Sequence, residues 1–548
     1  MLLFAVVSWI GVAWQQRPVV VRRSWGPRGL IPVKASIGTK EGSAVFGAES
    51  SAAKAAAREA VVAREARAKD VWERIAVSSP TIFREPVVVS ESAPEGLSGT
   101  WFVNGLGSCR IGDRLVHPFE AHGFIKAIRF ERGVVSIQSR YVETAVQKLE
   151  SWARRPLFRG AMSNVADFTF PGFVLNALSP STRSVAQLAV RKWGDKLLAM
   201  TDNAPFYAMD TENLETVGVE TLFGSLDERG MLAHTRVDHR RGTMVAAATE
   251  FKVFDDQTRV VFWEFDEAGR EVSRVEHDAP FFVFHDWALT EDYYVVPFTN
   301  GIFDVSRIGN FALGRIPATD LFGFDPSATA KLLLIPRDGS REPTTADLGQ
   351  FGSIFHVGPT WVSDGRLTAH VLMFDRYEFG GEMGFDVRRQ TFDPIPWSEA
   401  NGGPKLYRVD VDLETRQTAL KKLSDIPTDM PTFFRDVDEC RYVYGASGVR
   451  PEGWFPFNAL SKFDLETQET TLWIPPDSAE DCVTSEPLFV PRADQEDDGW
   501  VLSLLHNVAT NSTELLVFDA HDFGAGPIWS TKIAELWPWN VHTTFDPA

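Results

Sequence analysis

A short pattern recurs along the chain, in which an apolar strand-like run ends in Asp, a tight turn follows and a new run begins. The copies end at Asp210, Asp266, Asp412, Asp464 and Asp519, and the intervals from 210 to 266, 412 to 464 and 464 to 519 are 52 to 56 residues long. A period of about 50 residues with about four strands per unit is typical of a propeller blade. The hairpins of a β-sandwich can produce a similar repeated pattern, but the period and the chain length favour the propeller.

The body of the chain shows the same preference for strands throughout. From about residue 80 onward, short apolar runs such as 332–335, 369–374 and 501–505 are separated by Gly, Asp, Asn and Pro. This spacing predicts short strands joined by turns. The body, about 470 residues long, allows seven blades with insertions at the observed period. We therefore predict an all-β fold, a seven-bladed β-propeller, over residues 81–548.

The N-terminus differs from the body in composition. Residues 1–14 are apolar except for Ser8, and the basic stretch that follows has no acidic residue before Glu41. The apolar run is too short to span a bilayer comfortably. An apolar start followed by an Arg-rich stretch predicts a signal-like or transit-like targeting segment over residues 1–40, of the kind that directs proteins to a plastid. A membrane anchor and an uncleaved tail are the alternatives.

A helix is expected between this segment and the body. Residues 50–76 are rich in Ala and charged side chains and contain neither Gly nor Pro. These are strong helix formers, so residues 41–80 are predicted to be a linker with one exposed helix. Contact of this helix with a membrane or a partner is the alternative to a solvated face.

The overall composition narrows the possible functions. A net charge of −19 argues against nucleic-acid binding, which requires basic patches. The chain has three cysteines, too few for a disulfide framework, and their spacing fits no zinc motif. The 40 Phe and 17 Trp residues require either a large core or an apolar binding tunnel.

Four of the 11 histidines stand out by their positions, because each follows or ends an apolar strand-like run: His234, His285, His356 and His542. His234 and His285 are 51 residues apart, close to one blade period, and His356 follows 71 residues later. The innermost strands of a propeller face one axis, so these side chains are expected to converge. Imidazole suits Fe, Cu, Zn and Ni, and carboxylate partners are expected on the other ring nitrogens. A single histidine is more often structural, and spacing alone does not decide between a structural and a metal-binding role for these four.

Several distinctive segments occur in a set order: residues 99–107, 117–124 leading to 129–130, 285–286 followed by 289–291, 332–337, 441–445, and 485–492 followed by 496–499. In these segments, and in a last histidine near the chain end, the sequence from about Gly99 onward resembles the carotenoid cleavage oxygenases. That family includes plant epoxycarotenoid dioxygenases, animal β-carotene oxygenases, the retinal pigment epithelium isomerohydrolase and bacterial lignostilbene dioxygenases.

The resemblance implies a seven-bladed propeller with a loop or helical cap over the metal face, and it implies that the four histidines bind Fe(2+). In the family, three glutamates hold three of these histidines. Here Glu486 matches one of them, and Asp202 and Asp425 are predicted at the other two positions. Aspartate is one methylene shorter, so we expect an inward shift of the backbone, a bridging water or weaker iron binding. The family's Phe-Asp-Gly-Asp-Gly stretch is replaced by residues 119–123, Phe-Glu-Ala-His-Gly.

The implied activity is cleavage of a carbon–carbon double bond in a carotenoid or apocarotenoid by O2, with two carbonyl products. Its partners are then an apolar polyene and O2. Two alternatives are a carotenoid isomerase or other non-cleaving rearrangement, and a carotenoid-binding propeller without turnover. Residues 156–178 are apolar and aromatic without a strand-like rhythm, and they predict a peripheral membrane contact. The alternative for this segment is a buried loop, and the oligomeric state is open.

Overall fold

The computed structural model describes residues 51–163, 182–226, 230–312, 315–325, 327–377, 382–386, 389–476 and 479–548. The chain divides into a short unit, Met1–Val61, and a large unit, Val62–Ala548. The predicted targeting segment, residues 1–40, lies outside the described residues. No helix among the described residues is long and apolar enough to cross a membrane.

Seven antiparallel sheets of four or five strands make up the large unit within the described residues, which confirms the predicted all-β propeller. We number the blades along the chain. Blade 1 contains Val87–Ser90, Gly99–Gly105, Phe124–Glu131, Val134–Tyr141 and Asn540–Pro547; blade 2 Ala189–Trp193, Lys196–Met200, Phe206–Met209 and Thr216–Glu220; blade 3 Arg236–Asp238, Thr243–Lys252, Gln257–Phe265 and Glu271–Pro280; blade 4 Ala288–Leu289, Tyr293–Thr299, Ala330–Pro336 and Thr344–Asp347; blade 5 Ser353–Ser363, Arg366–Phe374, Lys405–Asp412 and Thr418–Lys422; blade 6 Thr428–Thr432, Tyr442–Ser447, Ala459–Asp464 and Glu469–Trp473; blade 7 Cys482–Thr484, Leu488–Pro491, Gly499–Asn507, Ser512–Asp519 and Pro527–Ile533.

The recurring Asp of the sequence pattern has a structural role in the blades. It follows or ends the third of four strands in blade 2 (Asp210), blade 5 (Asp412) and blade 6 (Asp464). In each case its Oδ1 accepts hydrogen bonds from the backbone N–H groups two and three residues later. An Asp side chain that binds its own turn in this way favours a tight hairpin. The repeat therefore marks the outermost turn of a blade.

The last strand of the chain closes the ring. Asn540–Pro547 pairs with Gly99–Gly105, so that blade 1 joins the two ends of the folded body. The same strand contacts Ala189–Trp193 of blade 2 and Leu488–Pro491 of blade 7. Closure removes the free sheet edges that an open array would expose. It also places the C-terminal strand at the inner edge of its blade.

Further elements lie in insertions within the blades and in the connections between them. They include the helices Ala145–Ala153, Ile308–Ala312 and Pro394–Asn401, the 3-10 turns Pro118–Glu120, Val305–Arg307, Ala318–Leu321, Glu382–Gly384, Ala479–Asp481 and Phe523–Ala525, and the short hairpins Arg110–Ile111 with Arg114–Leu115, Gly301–Phe303 with Phe322–Phe324, and Phe385–Asp386 with Thr391–Phe392. Phe119, Phe324 and Trp397 from these insertions pack against a buried cluster that includes Ala233 and Val541. These two residues precede His234 and His542, so the three insertions pack beside the histidines and form the cap that the resemblance implied.

The helix predicted before the body is present as Ser51–Val77, but the prediction that it is exposed is wrong for its C-terminal half. Val71, Trp72 and Ile75 have no exposed surface. The Trp72 ring packs edge-on against Phe455 and Trp539, with centroid distances of 4.8 and 5.7 Å. Ile75 lies about one turn after the adjacent Val71 and Trp72 on the same face, and burial of that face joins the end of the helix to the propeller core.

Candidate metal centre

The four predicted histidines meet at the propeller axis. His356 and His542 lie on the inner strands of blades 5 and 1, and His234 and His285 precede the inner strands of blades 3 and 4. One ring nitrogen of each histidine lies within 4.8 Å of one from each of the others. The Nε2 atoms of His234 and His285 are 3.0 Å apart. The structure thus brings together side chains that are up to 308 residues apart, from 234 to 542, in the sequence.

Three carboxylates hold three of these rings from the remaining blades. Each accepts a hydrogen bond from a histidine Nδ1: Asp202 Oδ2 from His285 at 2.5 Å, Asp429 Oδ1 from His356 at 2.6 Å and Glu486 Oε1 from His542 at 2.8 Å. A carboxylate on Nδ1 keeps the proton there and leaves the lone pair on Nε2. The lone pairs of these three rings are therefore free for a ligand at the axis.

Two of the carboxylates also hold the backbone beside a histidine. Asp202 Oδ1 accepts the backbone N–H of Ala233, which precedes His234, at 2.8 Å. Glu486 Oε2 accepts the N–H of Thr543, which follows His542, at 2.9 Å. Each side chain thus has both oxygens bound, and it restrains both a ring and a strand.

The structure places two of the three predicted acids beside the histidines. Asp202 and Glu486 contact histidines as predicted, but Asp425 does not. Its side chain is 82% exposed and pairs with Lys422 on the surface. Asp429, four residues later and on the inner strand of blade 6, makes the contact instead. The two aspartates reach their imidazoles directly, so no bridging water is needed to compensate for the shorter side chain.

His234 differs from the other three because no carboxylate of the described residues accepts a hydrogen bond from its ring. The closest acid is Asp286, whose Oδ1 lies 3.5 Å from His234 Nδ1. Burial and the other three histidines hold the pKa of His234 well below its usual value. Burial acts to lower the pKa of His356, but Asp429, with Asp286 and Glu486, raises it above the usual value. The site thus resists adding a proton to His234 and supports positive charge near His356.

The donor set fits a metal ion. The Nε2 atoms of His356 and His542 are buried and have no hydrogen-bond partner among the described residues. Buried polar atoms are rarely left unpaired, and each one left so costs about 1–3 kcal/mol. Metal–imidazole bonds of about 2.1 Å place neighbouring nitrogens about 3 Å apart, close to the 3.0 Å between His234 and His285. Four imidazoles with carboxylates behind them suit a first-row divalent metal.

An aromatic wall begins beside the histidines. The ring of Phe355 is 5.9 Å from that of His285 and 4.7 Å from that of Tyr377. Phe324 continues the wall, with its centroid 6.5 Å from Tyr377. These residues pack against the same buried cluster as the cap insertions. The side of the site that faces the cap is therefore apolar.

The chain is similar to known proteins over most of its length. A model of the family described as retinal pigment epithelial membrane protein matches residues 78–547. The apocarotenoid-15,15'-oxygenase of Synechocystis sp. is 28% identical over 473 residues, which cover 83% of this chain and 91% of that protein. Carotenoid cleavage dioxygenase 7, chloroplastic, of Oryza sativa subsp. japonica is 26% identical, with 80% and 84% covered. The crystal structure of cobalt-substituted Synechocystis ACO matches with a TM-score of 0.78 at 25% identity, covering 88% of this chain and 99% of that one.

Proposed function

Since the chain belongs to the retinal pigment epithelial membrane protein family of carotenoid oxygenases, we propose that it binds one Fe(2+) ion and uses O2 to cleave a double bond of an apolar polyene. A carotenoid or apocarotenoid is the proposed substrate class. The observation that carries the proposal is the convergence of four histidines, three of them held by carboxylates, at the axis of the propeller. A protein that only bound pigment would have no need of this arrangement.

Iron bound at the four imidazoles would supply the binding and activation of O2. The reaction joins one oxygen atom to each carbon of the double bond, so that R–CH=CH–R′ and O2 give R–CHO and R′–CHO. The chain's own contribution is to fix the rings. Asp202, Asp429 and Glu486 keep the Nδ1 protons in place and hold each lone pair towards the axis.

The aromatic wall is proposed to place the substrate. A hydrocarbon polyene offers no polar handle, so apolar contact along its length must decide which bond lies at the histidines. Phe355 stands next to His285, and Tyr377 and Phe324 extend the apolar surface away from it. The same side chains exclude water from the reacting carbons.

A peripheral membrane contact is also proposed, because such a substrate partitions into lipid. The helix Ala145–Ala153 exposes Trp152 by 83% and Leu149 by 45%. It precedes the apolar segment 156–178, of which residues 164–178 lie outside the described residues. An exposed aromatic and aliphatic pair on one short helix is typical of interfacial binding.

Liposome co-sedimentation tests the membrane proposal. We expect the variant Leu149→Ser/Trp152→Ser to lose most of its binding to liposomes. Val272→Ser is the control, because Val272 is 55% exposed on the strand Glu271–Pro280, the outer strand of blade 3. Equal binding of all three proteins would contradict the proposal.

The activity is tested with the full chain loaded with Fe(2+) in detergent. We would incubate it with carotenoids, apocarotenoids and stilbenes, with and without O2, beside the variant His285→Ala, and identify products by chromatography and mass. O2-dependent aldehydes from the wild type but not from the variant support the proposal. Isomers of unchanged mass would replace it with a rearrangement, and bound but unconverted pigment would replace it with a binding role.

A further inference from the structure

The histidine without a bonded carboxylate is the starting point. His285, His356 and His542 each donate a hydrogen bond to an acid, whereas the Nδ1 of His234 lies 3.5 Å from Asp286. That distance is too long for a good hydrogen bond. The backbone of His234 is nevertheless held, because its carbonyl accepts a hydrogen bond from the indole of Trp287 at 3.1 Å. His234 is therefore held through the residues around Asp286, whereas each of the other three histidines is held by a direct hydrogen bond to a carboxylate.

Asp286 is only 2% exposed, and both of its oxygens are fully used. Oδ1 accepts the backbone N–H of Trp287 at 2.8 Å, and Oδ2 accepts that of Val357 at 2.9 Å. Nη2 of Arg236 donates to both oxygens at 2.7 Å. Val357 follows His356, Arg236 is two residues after His234, and Asp286 itself follows His285. One carboxylate thus ties together the strands that carry three of the four histidines.

Arg236 completes the connection. Its Nε donates to the Trp287 carbonyl at 2.8 Å, and its Nη1 lies 3.5 Å from Asp436 Oδ1. Asp436 Oδ2 in turn accepts the backbone N–H of Val237 at 3.1 Å. The guanidinium is largely buried and flanked by two acids, which is the condition under which a buried charge is tolerated. The pair therefore connects blades 3, 4 and 5 through direct hydrogen bonds.

We propose that Asp286 is a positioning residue of the metal centre, which sets the distance and orientation of His234 relative to His285 and His356. The inference rests on the proposed function, because it assumes that these histidines hold a metal. Partners that orient metal ligands typically change metal affinity by about 10- to 100-fold when they are removed. Asp286→Asn removes the charge that faces both Arg236 and His234 and keeps the size of the side chain, so we expect a loss of that order.

Asp238→Asn is a matched control. Asp238 lies on the strand Arg236–Asp238 and is 1% exposed. Its Oδ2 accepts from Arg337 at 2.7 Å. Like Asp286, it is a buried aspartate paired with a buried arginine, but its hydrogen bonds go to Arg337, Arg240 and Arg241 and to no histidine. Its loss should lower stability without changing metal binding. A second test variant is Arg236→Lys, which removes the guanidinium that donates to both oxygens of Asp286.

The experiment titrates the metal-free full chain with Co(2+) and records the dissociation constant, the visible spectrum and the urea midpoint. We expect Asp286→Asn to bind Co(2+) about 10- to 100-fold more weakly with an altered spectrum, and Arg236→Lys to change in the same direction. Asp238→Asn should keep the wild-type constant and spectrum despite a lower midpoint. Wild-type Co(2+) binding in both Asp286→Asn and Arg236→Lys would overturn the positioning role. Failure of the wild type to bind Co(2+) would instead overturn the proposed function.

Discussion

Replacing Asp429 by Ala removes the acid that holds His356, and the structure indicates the size of the effect. The Asp429 Oδ1 to His356 Nδ1 distance is 2.6 Å, and Asp429 acts with Asp286 and Glu486 to raise the pKa of His356 against the effect of burial. Without it, the ring is free to rotate and its tautomer is no longer imposed. Loss of such a partner weakens metal binding by about 10- to 100-fold, or about 1.4–2.8 kcal/mol of binding free energy.

The natural control is Asp425→Ala, because Asp425 is four residues away, has the same side chain and, like Asp429, is followed by an apolar residue and then Pro. Its exposed side chain pairs only with Lys422 among the contacts described, so we expect its replacement to leave metal affinity unchanged. Competition with a chelator of known affinity measures all three proteins under the same conditions. Equal weakening by the two substitutions, or no weakening by Asp429→Ala, would refute the assignment.

Three further predictions concern the helix, the buried ion pairs and the metal. Trp72→Ala should destabilise the fold by about 3–5 kcal/mol, because Trp72 has no exposed surface, whereas Val62→Ala on the exposed part of the same helix should have little effect on the urea midpoint. Burial would raise the pKa of Asp238 and Glu264, but hydrogen bonds and charge from Arg337 lower the pKa of both. The two carboxylates therefore stabilise the fold above their unfolded pKa of about 4, and this stability is lost as the pH falls through the lowered folded values. The replacement Arg337→Met should cost about 3–5 kcal/mol of unfolding free energy at pH 7 and flatten this acid dependence in urea titrations. Removing the metal with a chelator should abolish turnover and lower the melting temperature. Adding Fe(2+) at a concentration above its dissociation constant should restore both.

The architecture was predictable because each blade uses a similar turn, so the same short sequence pattern repeats at the blade period. The Asp that ends an outer strand binds its own turn, so turn chemistry repeats at the blade period at Asp210, Asp412 and Asp464. The buried end of the first helix was missed, because its average composition is that of a solvated helix. The apolar positions Val71, Trp72 and Ile75 form a one-sided stripe that was the available signal.

The site was predictable in part. Each histidine stands where an inner strand begins or runs, so convergence on the axis follows from the fold. The choice between Asp425 and Asp429 depends on which of two Asp-X-Pro sequences enters the inner strand, and composition carries no information on that register. The role of Asp286 depends on contacts with Arg236 and Val357 across blades, which only the three-dimensional structure reveals. The plastid-targeting segment lies outside the described residues and stays a prediction.

The proposed activity depends on one metal ion held by four imidazoles at the propeller axis. Metal analysis and X-ray absorption at the iron edge of the full chain loaded with Fe(2+) test it most directly. We predict one iron per chain with a coordination shell dominated by imidazole nitrogen, and loss of that shell in His285→Ala. Absence of bound iron in the wild type, or the same spectrum in His285→Ala, would contradict the account.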